Sequence, residues 1–548
     1  MKKLFGILAA VPVLAAACCI GAFAAGTETI PVDYQISQAG TYVISGEVRD
    51  TTITVAAGDD DKVELILDNA VIENANGPAI YVQSADKVTI TLKEGTTNTV
   101  ADGADYEMMD GETLVDGAIF SRADLKIDGE GMLTVSGNCK HGIVSKDDLT
   151  IKGGTIQVTA QNVGLNGKDC VEIKGGAVTV TAGTDGIRSD NDEDSERGYV
   201  ELTGGAVTIT AGNDGIQAET YLTAAGADVA ILAGGSGDTL TVADESSKGL
   251  KAGTDITISG GTIDIASLDD CVHANRSVTV TGGTLTLSSG DDGIHADNDL
   301  SVAGGEINIL QSYEGLEGTR VLISDGKINL VAWDDGINAA GGNDGSALGG
   351  RPGQGSFAGG TGELVISGGY ILVNAYGDGL DANGSITVSG GVTLVSGPTS
   401  SGNGALDYDA TATVTGGVVV ALGSAGMSQN FSAAENQGAI LYTLGASQSA
   451  GTSFALCDEN GDVIVSFTPE KEYQSAVVSA PEIQTGGTYT VVTGGTVSGA
   501  DENGYAAGTD LTGGSEQGTV EMTGLLYGAG GGFGGMGGRG SRGGHGAW

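Results

Sequence analysis

A pair of glycines recurs along the chain about every 22 residues, each time followed by a short alternating run of Val, Ile, Leu and Thr. The series includes IKGGTIQV (151–158), IKGGAVTV (173–180), LTGGAVTI (202–209), ISGGTIDI (258–265), VTGGTLTL (280–287) and VSGGVTLV (388–395). A second series runs in phase with it: Gly142, Gly164, Gly186, Gly215, Gly249, Cys271, Gly293, Gly315, Gly336 and Gly379. Self-similarity at such a period indicates stacked units that share one core, so 548 residues need not divide into several globular domains. Each unit has room for three short strands and three turns, with no sustained helical spacing. The spacing therefore predicts an all-β chain, a right-handed parallel β-helix of about 22 residues per rung, with rungs stacked about 4.8 Å apart. The tandem GGxGxD units of a calcium β-roll are absent from the sequence. Longer intervals at 190–198, between Gly215 and Gly249, and at 340–362 read as insertions into single rungs.

Around the second glycine series the residue types repeat. The next position is aliphatic (Ile187, Ile216, Leu250, Val272, Ile294), the one after is polar (Arg188, Gln217, Lys251, His273, His295, Glu317, Asn338, Asp381), and a small residue follows. Strand alternation then makes the polar set an outward, exposed column. Immediately before the glycine stands a column of acids: Asp185, Asp214, Asp270, Asp292, Glu314, Asp335 and Asp378, with Lys248 the one exception. Asp269, Asp291 and Asp334 double it, and Asp297 follows the strand. Stacked about 5 Å apart, neighbouring carboxylates repel by roughly 3 kcal/mol at an effective dielectric of about 20.

Such a ladder needs protons or a cation. Calcium takes six to eight oxygens in loose geometry, so the metal candidates are Asp269, Asp270, Asp291, Asp292, Asp297, Glu314, Asp334 and Asp335. The alternative is that the acids cap turns and keep the surface soluble. Trp333 and Tyr376 share a position in what should be neighbouring rungs, with Tyr313 nearby. Aromatic faces pack on sugar rings while polar neighbours fix hydroxyls, which makes Arg188, His273, His295, Tyr313, Trp333 and Tyr376 the carbohydrate-binding candidates. Shielding of a rung edge is the alternative role for the aromatics. A formal net charge of −46 argues against nucleic acid and anionic membranes as partners.

The segment VELILDNAVIENANGPAIYVQSADKVTITLKEGTTNTVADG (63–103), the DDGI(H/N)A rungs and QSAVVSAPEIQTGGTYTVVTGG (474–495) resemble the secreted clostridial carbohydrate-binding β-helix family. The resemblance covers about residues 30–500. It implies a pectate-lyase-like fold, bound calcium at the paired acids 269–270, 291–292 and 334–335, and affinity for polygalacturonate (pectin) or cellulose. A calcium bridge would reconcile an acidic protein with an acidic polymer. Three similar acid pairs suit repeated metal sites better than one catalytic centre, so no catalytic residue is assigned and binding is preferred to catalysis. A pectate-lyase-like or polygalacturonase-like enzyme is one alternative, and a structural or adhesive spacer is the other.

The expected organisation is a signal peptide at 1–24, an N-terminal cap with first strands at 25–62, the parallel β-helix at 63–424, a C-terminal β cap at 425–523 and a Gly-rich tail at 524–548. Lys2 and Lys3 before an apolar run, and Ala22-Phe23-Ala24, give the signal its form, with a lipid anchor at Cys18 as a variant. The protein is thus expected to be secreted, a monomer, and associated with the cell surface if the tail attaches there. Cys139, Cys170, Cys271 and Cys457 form no metal motif and are expected to be buried thiols or at most one disulfide.

Overall fold

The computed structural model describes residues 35–234, 246–340 and 361–528. The signal segment, most of the 340–362 insertion and nearly all of the Gly-rich tail lie outside the described residues. Among the described residues the chain is all-β, and its main sheet joins 39 strands that pair mostly in parallel. Successive units contribute one strand to each of three ladders. One contains Leu165–Gly167, Ile187–Ser189 and Ile216–Ala218. The second contains Asp148–Ile151, Cys170–Ile173 and Tyr199–Leu202, and the third Thr155–Ala160, Ala177–Ala182 and Ala206–Ala211. The aliphatic positions of all three point inward and form one continuous buried column from Ile36 to Val477.

The glycines explain why the register survives. The second glycine of each pair sits at positive φ (Gly176 at 86°, for example), a turn conformation that side chains rarely adopt. The anchor glycines are needed for close approach instead. A Cβ on Gly186 would stand 2.3 Å from Ile209 and 2.6 Å from the Gly215 carbonyl of the next unit.

The two ends of the column are built differently. Parallel pairing already starts at Gln35↔Thr54 and Gly40↔Val63, so the early strands belong to the same ladders rather than to a separate cap. At the other end, Tyr473–Ala480 pairs antiparallel with Thr411–Gly423 and closes the last unit. The region also folds back along the side of the last units. A five-stranded sheet built on Phe454–Cys457 and Val463–Phe467 shares a second core with Leu394, Val420 and Leu422, against which Tyr370 and Leu372 pack. Lys327 and Tyr370 reach Glu502 (2.9 Å) and Asp501 (2.7 Å) across that contact. The four described cysteines are free thiols, so no disulfide joins them.

Candidate functional site

The outward column runs in register from Val144 through Asn166, Arg188, Gln217, Lys251, His273, His295, Glu317, Asn338 and Asp381 to Asp407. Its expected exposure does not hold at the centre. His273 is 6% and His295 0% exposed, and Glu317 and Asn338 are buried as well. Alternation places these side chains away from the aliphatic core, but the acids on both sides wall them in. His273 Nδ1 lies 2.8 Å from Asp270 and its Nε2 3.2 Å from Asn275. His295 lies 2.9 Å from Asp292, 2.8 Å from Glu317 and 3.4 Å from Asp297, and the two imidazoles tilt together at 4.8 Å. Neither histidine can lie against a polymer.

The acids before the anchor have a structural task that their spacing did not reveal. In several of them one oxygen accepts a backbone N–H from the following unit: Asp214 from Lys248 (2.9 Å), Asp270 from Asp292 (3.0 Å), Asp292 from Glu314 (3.3 Å) and Asp335 from Asp378 (2.6 Å), whereas Asp185 accepts the Asn213 side-chain amide (2.8 Å). What differs along the rod is the partner of the second oxygen. In the earlier units it is a cation. Asp185 meets Arg188 at 3.4 Å, Asp214 meets Lys251 at 3.0 Å, and Asp270 meets the buried Lys248 at 2.6 Å. Lys248 also reaches Asp269 at 3.0 Å, so an ammonium already stands where the sequence suggested a metal at 269–270. Burial alone would raise Asp270, but Lys248 and His273 hold its carboxyl well below the usual range.

Beyond His295 no lysine or arginine among the described residues pairs with an acid of the column. Among the described residues Glu314 receives the Asn338 amide (2.7 Å) and no cation, and Asn338 is followed in the column by Asp381 and Asp407. Burial first, and neighbouring carboxylates second, push Asp292, Glu314, Asp335 and Asp381 well above the ordinary carboxyl range and Asp378 up to about 7. Buried Asn338 Oδ1 has no donor among the described residues. Asp378, Asp381 and Asp407 each offer an oxygen within 4.8 Å of the others. This oxygen-only, cation-free set suits calcium better than the histidine-lined centre does. Asp269, Asp270 and Asp291 also converge within 4.8 Å, but with Lys248 among them.

The aromatic candidates separate into two places. Trp333 and Tyr376 stack at 5.0 Å with 12° between their planes and stay 49% and 44% exposed. Exposed Leu310 belongs to the preceding unit, and Tyr313 donates its hydroxyl to Asp334 at 2.7 Å. Arg188 belongs to the opposite end of the column. Sequence reasoning missed Lys471, whose Nζ lies 4.4 Å from the Tyr376 ring centroid and donates to the Ala375 carbonyl. Nothing local signals a partner 96 residues away. Asp407 could have been found, because Ala405-Leu406-Asp407 repeats the anchor pattern with Ala in place of Gly.

A family model described as "Carbohydrate-binding domain-containing protein" matches residues 32–293 and 291–517. A protein of that same description from Acetivibrio thermocellus is 40% identical over 129 residues, which are 23% of this chain and 45% of the relative. This chain therefore matches less than half the length of that relative. A solved structure described as the polysaccharide lyase-like protein from C. thermocellum, in a gadolinium derivative, is 39% identical. It covers 37% of this chain and 82% of its own, with a TM-score of 0.36.

Proposed function

Because the chain belongs to the carbohydrate-binding domain-containing protein family, we propose that it is an exported, monomeric polysaccharide-binding protein that grips its polymer beside the Trp333–Tyr376 stack with the help of calcium. The observation that carries this is one juxtaposition. The half-exposed ring pair is adjacent in sequence to Asp334, and Asp335 and Asp378 lie within two residues of a ring. Stacked rings offer apolar surface to a pyranose. In this reading calcium is held by Asp378, Asp381 and Asp407, with Asp335 and Asn338 Oδ1 alongside. It supplies the positive charge through which an acidic polymer such as polygalacturonate can approach an acidic protein. Cellulose would need the rings alone. The three ladders are then those of a right-handed parallel β-helix, the hand that parallel crossovers almost always take.

The test is retention on insoluble polygalacturonate and on cellulose, with calcium and with a chelator, while the supernatant is assayed for new sugar ends. Wild type should be retained without releasing ends, and Trp333→Ala with Tyr376→Ala should lower retention at least about tenfold. That loss corresponds to about 1.4 kcal/mol. Released ends would make the protein an enzyme, and absence of retention on both polymers would leave a spacer.

A further inference from the structure

At the opposite end of the outward column lies a cleft of about 460 Å³. One wall is the turn of the hairpin that pairs Met109–Asp110 with Thr113–Leu114, and its floor is Val144, Asn166 and Arg188 of the column. Lys146 and Lys168 hold equivalent places two residues after Val144 and Asn166, and the Lys168 amide donates to the Ser145 carbonyl of the unit before. The two lysines line the same cleft from adjacent units.

These cations are only lightly used. Among the described residues no carboxylate lies within ion-pair distance of Lys146, whose Nζ sits 5.8 Å from the Phe120 ring centroid. Lys168 meets only Glu193, at 3.5 Å, and that carboxylate is 78% exposed. Arg188 spends its two terminal nitrogens on Asp185 and Asp190, and its Nε is buried without an acceptor. Asn166 is 3% exposed, donates to Asp190 at 3.4 Å, and keeps an Oδ1 that receives no donor. Buried polar atoms are seldom left unpaired, and the Asn166 and Arg188 that carry these two line the cleft.

The chemistry that answers the two lysines and Asn166 is an anion that also carries hydroxyls. A carboxylate answers Lys146 and Lys168, and a hydroxyl donates to Asn166 Oδ1. The volume falls within the range of small-ligand sites. Glu112, Asp116 and Asp190 also line the cleft, which disfavours a dianion such as a phosphate ester. We propose that this cleft is a second, calcium-independent carbohydrate subsite that takes one sugar acid. It rests on the polysaccharide-binding reading, and its ligand is either a free sugar acid or one uronate residue of a polymer. Arg188 and Asn338 are six register steps apart, about 29 Å at 4.8 Å per step. One extended chain could therefore touch both ends of the column.

The experiment is calorimetric titration of the full chain in EDTA with galacturonate, galactose and trigalacturonate. Galacturonate should bind at least tenfold more tightly than galactose. The double variant Lys146→Gln with Lys168→Gln should lose at least tenfold for galacturonate while its melting temperature stays that of wild type. Lys62→Gln, at an exposed lysine outside the cleft, should leave galacturonate affinity unchanged. Trigalacturonate binding tenfold above the monomer would identify a polymer residue as the ligand, and equal affinities a free acid. Equal binding of galactose and galacturonate, no galacturonate binding, or an unaffected lysine variant would each overturn the proposal. If galacturonate binds but insoluble polymer is not retained, the polymer reading fails and the subsite stands.

Discussion

In EDTA this protein should become less stable as the pH rises from about 4 to about 7. The unfolded chain releases the Asp378 proton near 3.8, whereas the fold holds it to about 7, because burial and then Asp407 and Asp334 disfavour the charge. Between those values the folded state binds the extra proton, so unfolding becomes easier as pH climbs through the window. For this one carboxyl the shift corresponds to about 4 kcal/mol as an upper bound, and Glu314, Asp335 and Asp381 are displaced in the same direction. If calcium binds the deprotonated set, as proposed, an excess of about 100 times its Kd should restore about 2.7 kcal/mol. The assay is urea unfolding at pH 5.0 and pH 7.5, in EDTA and in calcium. The double variant Asp378→Asn with Asp381→Asn isolates the cluster. It should flatten the pH dependence in EDTA and abolish the calcium response. Metal-free wild type that is more stable at pH 7.5 than at 5.0, together with a variant of unchanged pH slope, would refute the reasoning.

Two further outcomes follow from the same geometry. Lys248→Met leaves buried Asp270 and part-buried Asp269 without their ammonium and should cost about 3–5 kcal/mol, read as a lower urea midpoint at constant slope. Gly186→Ala places a methyl 2.3 Å from Ile209 and 2.6 Å from the Gly215 carbonyl. Forcing the two units apart should cost about 1–3 kcal/mol, read the same way.

Where a residue's role depends on its own unit, the sequence was readable. The second glycine of each pair is needed for its positive φ and the anchor glycine for its missing side chain, so the two series marked the turns and the stacking together. The Trp333–Tyr376 contact followed from shared position in adjacent units. Alternation says only that His273 and His295 point away from the aliphatic core. It does not say that acids from the flanking columns enclose them. Lys248 looked like an interruption of the acid column and is instead the counterion of the next unit's acids. Lys471 and the sheet beside the last units are brought in by long-range packing, for which no periodic signal exists. The earliest strands lack the double glycine, and so their membership of the same ladders was hidden.

The central claim is that the aromatic stack and the cation-free acids act together on one polymer. The most direct measurement is affinity electrophoresis through polygalacturonate at fixed calcium, run on wild type, on Trp333→Ala with Tyr376→Ala, and on Asp378→Asn with Asp381→Asn. Strongest retardation of wild type is the predicted result, with both variants held no more than wild type is in a chelator. Equal retardation of all three would contradict the account.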